Sequence, residues 1–112
     1  MADGARLGRA FFDADGGVFH PRPQCRSPWN PRQQNGVVVA GLLMHLAEQV
    51  ETPVPMLAAH VTIDILRGVP YAPIEGRAEV VRAGGKMQIL ESHLIADGVP
   101  VARARVLRVR EL

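Results

Sequence analysis

The chain has 112 residues, 47% of them hydrophobic and 21% charged, with thirteen basic against eleven acidic side chains. That length holds one compact domain, residues 1–112, and the composition excludes the class of low-hydrophobicity, high-charge chains that stay disordered. A formal charge of +2 makes no demand for nucleic acid.

Residues 9–20, RAFFDADGGVFH, set Phe11-Phe12 and Val18-Phe19 on either side of an Asp/Gly turn cluster and predict two short strands. The opening MADGARLGRAFFDADGG lacks the apolar core of a signal peptide, and no apolar run approaches the ~18 residues of a membrane span. The stretch from Pro21 to Gly36 carries four prolines without periodicity and predicts a long loop, of the kind that usually serves a site. It holds Cys25, the one cysteine, so no internal disulfide is possible and a reducing cytoplasm is expected. As a nucleophile Cys25 lacks a base nearby in sequence, and an inert thiol is the expectation.

Asn35 then offers a cap, Val37 to Val50 is nearly continuous apolar, and Thr52-Pro53 ends the run, which predicts a helix. Its first two turns have no polar face, so it must be surrounded. Leu57, Ala59, Val61, Ile63 and Ile65 alternate with polar residues and predict a half-buried strand, with His60 and Asp64 facing solvent. IEGRAEVVR, KMQILESHLIA and VPVARARVLRVR follow as three more strands, joined at Gly84-Gly85 and at Asp97-Gly98, a favoured type I′ pair. A change of apolar parity in the last strand predicts a bulge near Val106–Leu107. Arg103, Arg105, Arg108 and Arg110 read as a solvated strand face, without the interleaved aromatics of a nucleic-acid surface. Strands of nine to eleven residues, ~30 to 36 Å long, twist and curl, and the economical packing is an α+β fold whose long antiparallel sheet wraps one buried helix.

That order of elements is the order of the hot-dog fold. SPWNPRQQNG leading into the helix, the Leu66-Arg67-Gly68-Val69-Pro70 turn, Arg82-Ala83-Gly84, and Asp97-Gly98 running into Val101-Ala102-Arg103-Ala104 resemble the N-terminal hot-dog half of the TesB-like acyl-CoA thioesterases. The resemblance covers nearly the whole chain and implies hydrolysis of acyl-CoA thioesters. It also implies an expected homodimer, formed through the sheet edge and the helix. The resemblance places the catalytic acid, Gln and hydroxyl residue of the two-domain members in a C-terminal half, and residues 1–112 are expected to correspond to the N-terminal half.

Unpaired N–H groups and the positive dipole end suit a helix start to hold a thioester oxygen as charge develops on it. The backbone N–H groups of Gly36 and Val37 are thus the candidate oxyanion donors, and Asn35 either caps the helix or touches the thioester. The family usually carries His or Phe and two glycines at this corner, where this chain has Asn35, Gly36 and Val37. Single-domain relatives place a water-activating carboxylate two turns into the helix, where Met44 stands; Glu48, one turn later, is the candidate base. Leu42, Leu43 and Met44 form the expected acyl path. Arg82 and Lys86 flank a glycine turn and are candidate contacts for the CoA phosphates.

The four histidines have none of the spacings that put two ligands on one helix face or hairpin, so no metal is expected, and no resident cofactor. Three functions compete: an acyl-CoA thioesterase, a non-catalytic acyl-CoA-binding subunit or half-domain that needs a partner, and a hydratase using His45 with Glu48.

Overall fold

The computed structural model describes residues 11–111; the expectations placed on residues 1–10, the lack of a leader and the first residues of the opening strand, lie outside them. Strands β1 (Phe12–Asp15) and β2 (Val18–Pro21) form the expected hairpin, turning at Gly16-Gly17, where Gly16 takes φ +64°. The proline-rich segment is more structured than a plain loop. Pro23–Cys25 makes a 3₁₀ turn, and Arg26 bridges Gln34 in antiparallel fashion. The Cys25 thiol is buried and donates to the Phe11 carbonyl at 2.8 Å, and desolvation pushes its pKa up, as suits an inert thiol.

Helix α1 (Gly36–Glu48) stops two residues short of the expected Val50, where Gln49 donates its backbone N–H to His45 and Ala47. Strands β3 (Met56–Ile65), β4 (Ile74–Ala83), β5 (Met87–Ala96) and β6 (Val99–Arg110) complete one antiparallel sheet in the order β1-β2-β4-β5-β6-β3. Asp97 and Gly98, at φ 51° and 75°, make the left-handed pair that an Asp-Gly hairpin predicts.

The sheet curls around α1, which buries Val39, Leu42, Leu43, Leu46 and Ala47 against the inner positions of β4, β5 and β6. Each fully buried Val or Leu among them contributes roughly 1.5–3 kcal/mol. Gly76 marks the closest crossing, since a Cβ there would stand 2.9 Å from both Leu46 Cδ1 and Phe19 Cε1.

Three expectations are corrected. First, β3 is not half-buried. It is an edge strand, α1 does not lie over it, and Val61, Ile63 and Ile65 remain 37–48% exposed on the helix side of the sheet. The helix is likewise only partly surrounded, with Val37 81% exposed. Second, β6 has no bulge near Val106–Leu107. The irregularities in the pairing of β6 fall at Ala59 in β3 and at Val101 in β6 itself, and inner parity runs unbroken from Ala102 to Arg108. Third, and as a result, Arg108 is buried while Arg103 and Arg105 occupy the outer face, paired with Asp64 and Glu91. The Arg105 guanidinium holds the Glu91 carboxyl below its ordinary range.

Candidate functional site

The helix start is built by the loop before it. The Asn35 N–H donates to the Cys25 carbonyl at 2.7 Å and the Gln34 N–H to Val69 at 2.8 Å, so the chain enters α1 in a fixed direction. Asn35 is the N-cap, its Oδ1 accepting from the Val37 N–H at 2.8 Å. The cap thus engages one of the two amides offered above as oxyanion donors, and leaves the Gly36 N–H as the remaining candidate at this corner.

Glu48 stands exposed at the other end of the helix, twelve residues from Gly36, or ~18 Å by helical rise. One chain therefore does not bring these two site residues together. Beside Glu48, the buried guanidinium of Arg108 ties off the helix end. Nη1 donates to the Val50 carbonyl at 2.9 Å, Nη2 donates to Ala47, and Gln88 Oε1 lies 3.4 Å away. Burial lowers the Arg108 pKa, while the nearby Glu48 charge acts to raise it.

Two concavities flank the helix. A cavity of about 220 Å³ runs from Val37 to His45 against Phe11 and Phe12. A groove of about 480 Å³ lies at the helix end between Met44, Glu48 and Arg108 on one side and Met56 to Ala58 of β3 on the other. The expected acyl path is corrected by these positions. Leu43 is fully buried in the core, Leu42 faces the first cavity and Met44 the second, so the three do not share one channel. His45 and Glu48 also face different concavities, which removes the pairing that a hydratase would need.

Arg82 and Lys86 are exposed around the β4–β5 hairpin. Lys86 accepts from the Arg110 N–H, whereas Gly36 sits by Ile65, which pairs with Ala102 eight residues back along β6. The separation along the sheet is ~26 Å by strand rise.

Sequence spacing missed several groups that the fold gathers. Glu79 and Glu91 are directly opposed on β4 and β5, and His93 Nε2 lies 3.5 and 3.6 Å from their carboxylates. These three offer donor atoms within 4.8 Å of one another, a cluster that only strand pairing creates. On the loop, Trp29 is 89% exposed and Arg26 stacks 4.3 Å over the Tyr71 ring.

The family model for the acyl-CoA thioesterase N-terminal domain matches residues 25–109. No curated protein matches the sequence. Among solved structures, E. coli PaaI, from the phenylacetic acid degradation operon, is similar over 98% of this chain and 92% of its own, at 17% identity and TM-score 0.68. A Bacillus halodurans protein solved with CoA is similar over 96% of this chain and 78% of its own, at 15% identity and TM-score 0.71. A phenylacetic acid degradation-related protein from Ralstonia eutropha JMP134 is similar over 95% and 98%, at 18% identity and TM-score 0.65. At these identities the structures speak for the fold, which is the hot-dog fold, while the family match spans three quarters of the sequence. The chain, with its six-stranded sheet curled around a helix capped by Asn35, belongs to the acyl-CoA thioesterase N-terminal domain family.

Proposed function

We propose that the chain is a thioesterase acting on fatty acyl-CoA, and that it works as a homodimer whose sites are shared between copies. The observation that carries this reading is the uncovered edge strand β3 and what stands at its two ends. At one end Met56 to Ala58 share a groove with Glu48. At the other, a Cβ on Gly36 would lie 3.7 Å from Ile65 Cδ1. Antiparallel pairing of two β3 edges about a two-fold axis would set the helix start of one copy level with the helix end of the other. Gly36 and Glu48, ~18 Å apart within a chain, would then meet across the pair. Charge favours the same arrangement, because the first turn of α1 holds no acid whereas the helix ends on Glu48, with Glu51 just beyond.

In this reading the Gly36 N–H receives the developing oxyanion and Glu48 of the second copy takes a proton from the attacking water. Attack forms the carbon–oxygen bond, and collapse of the tetrahedral adduct expels the CoA thiolate, which is protonated to the free thiol. Val61, Ile63 and Ile65 would be covered by pairing, and the Arg82 and Lys86 end of one copy would face the helix start of the other.

A second reading is favoured by one observation: Met44 fills the place where relatives are expected to carry the acid, so the chain would bind acyl-CoA and leave hydrolysis to a partner. Thiol release from short-, medium- and long-chain acyl-CoAs decides between them. Saturable release by a dimer of the purified chain is expected, and a folded dimer that binds acyl-CoA but releases nothing would establish the second reading. Ile63→Lys places a charge in the middle of the pairing edge and is expected to give a folded monomer without turnover, checked by sedimentation. An Ile63→Lys dimer would show that the subunits meet elsewhere.

A further inference from the structure

The loop before the helix carries a combination that the thioester chemistry leaves unused. Trp29 is 89% exposed, yet the backbone beneath it is tightly held. Ser27 Oγ accepts from the Trp29 and Asn30 N–H groups at 3.2 and 3.3 Å, and Asn30 Oδ1 accepts from Arg32 N–H at 3.0 Å. Ser27 N–H donates to Gln33 at 2.9 Å, and Tyr71 N–H donates to Arg32 at 2.8 Å. The indole is therefore presented to solvent by an ordered tip, with little ordering left to be done on binding.

The loop and the turn it is clamped to are cationic and free of acid in sequence. Residues 16–47 and 65–74 contain no Asp or Glu, but they hold Arg22 and, all exposed, Arg26, Arg32 and Arg67. Among the described residues none of these three is in an ion pair with a carboxylate, in contrast to Arg22, Arg103 and Arg105. The loop is clamped to the turn that bears Arg67. A Cβ on Gly68 would lie 2.0 Å from Gln33 Nε2, so the Gln33 side chain lies directly on that glycine. The same loop continues into Asn35 and Gly36.

An exposed flat ring on a loop that carries Arg32 and is clamped to the turn of Arg67 suits a ligand with its own flat ring and phosphates. We propose that Trp29, Arg32 and Arg67 hold the adenosine phosphate end of coenzyme A, with the indole stacked on the adenine and the guanidiniums on the phosphates. The proposal rests on the acyl-CoA reading and assigns that ligand's nucleotide to the loop of the copy that supplies Gly36. It assigns the phosphates to this loop rather than to Arg82 and Lys86 of either copy.

Trp29 is the chain's single tryptophan, so its emission reports on this loop alone. Titration with CoA and with adenosine 3′,5′-bisphosphate is expected to quench it saturably, and pantetheine, which lacks the nucleotide, is expected to leave it unchanged. By calorimetry, Trp29→Leu is expected to weaken both nucleotide ligands about tenfold, the scale of one lost base–aromatic stack. Arg32→Gln/Arg67→Gln is expected to weaken them at least as much and to flatten the dependence of affinity on salt. CoA binding measured by calorimetry with Trp29 emission unmoved would overturn the proposal, as would parent-like affinity in both variants. Loss of affinity in Arg82→Gln/Lys86→Gln, with Arg32→Gln/Arg67→Gln binding as the parent, would overturn it by placing the phosphates at the far hairpin. Absence of any binding of CoA or the bisphosphate would do so too. Failure of the thioesterase reading is separate, because it is read from thiol release by an acyl-pantetheine, which carries no nucleotide.

Discussion

Gly36→Pro is expected to lower thioester hydrolysis by ~10²–10³-fold, the usual effect of losing one oxyanion donor, without lowering the melting temperature. Proline removes the N–H and nothing else that the helix uses, because Gly36 is the first residue after the cap, a position that tolerates proline. The preceding Asn35 already has the extended backbone, φ −65° and ψ 133°, that proline requires of its neighbour. Glu48→Gln is expected to be silenced by a comparable factor, as befits loss of a general base. Mixing the two inactive variants tests the shared site directly. In a mixed dimer one site combines the intact Gly36 of one copy with the intact Glu48 of the other. Half of the randomly paired dimers are mixed and each has one sound site of two, so about a quarter of parent activity is expected to return. A mixture as inactive as its components would show that Gly36 and Glu48 do not work across the interface.

Arg108→Met is expected to cost about 2–4 kcal/mol, because it strips the Ala47 and Val50 carbonyls of a charged donor that is itself largely buried. For a domain of this size that is a fall in melting temperature of roughly 10–20 °C. Methionine matches the length of the stem, so the loss reports the guanidinium's hydrogen bonds rather than an empty volume. Arg108→Lys is expected to recover only part of it, since an ammonium cannot fork to two carbonyls and Gln88 at once. A melting temperature for Arg108→Met within a few degrees of the parent would mean that the helix end is satisfied by other groups.

The elements were legible wherever local periodicity and the three-dimensional neighbour agree. The helix from its Asn35 cap, the Asp97-Gly98 hairpin and the long strands all follow from patterns a few residues wide. β3 was misread for a physical reason. Alternation states that one face of a strand is apolar but not whether the same chain covers it, and here α1 lies over β4, β5 and β6 instead. Arg108 was misread because its carbonyl partners lie 58 and 61 residues away in sequence, and an arginine in a strand otherwise reads as solvated. The helix start was legible in part. Asn35 signals a cap, but which amide the cap would engage depends on the side-chain rotamer.

In the proposed dimer the uncovered edge of β3 would make the stability of this protein a matter of mass action. A lone copy leaves Ile65 nearly half exposed and a row of backbone donors and acceptors without strand partners. If a second copy supplies what is missing, unfolding and dissociation become one equilibrium, and the thermal midpoint climbs with protein concentration. Dilution then acts on this chain as a denaturant does on a self-sufficient domain, and any stability quoted for it has meaning only beside the concentration at which it was measured.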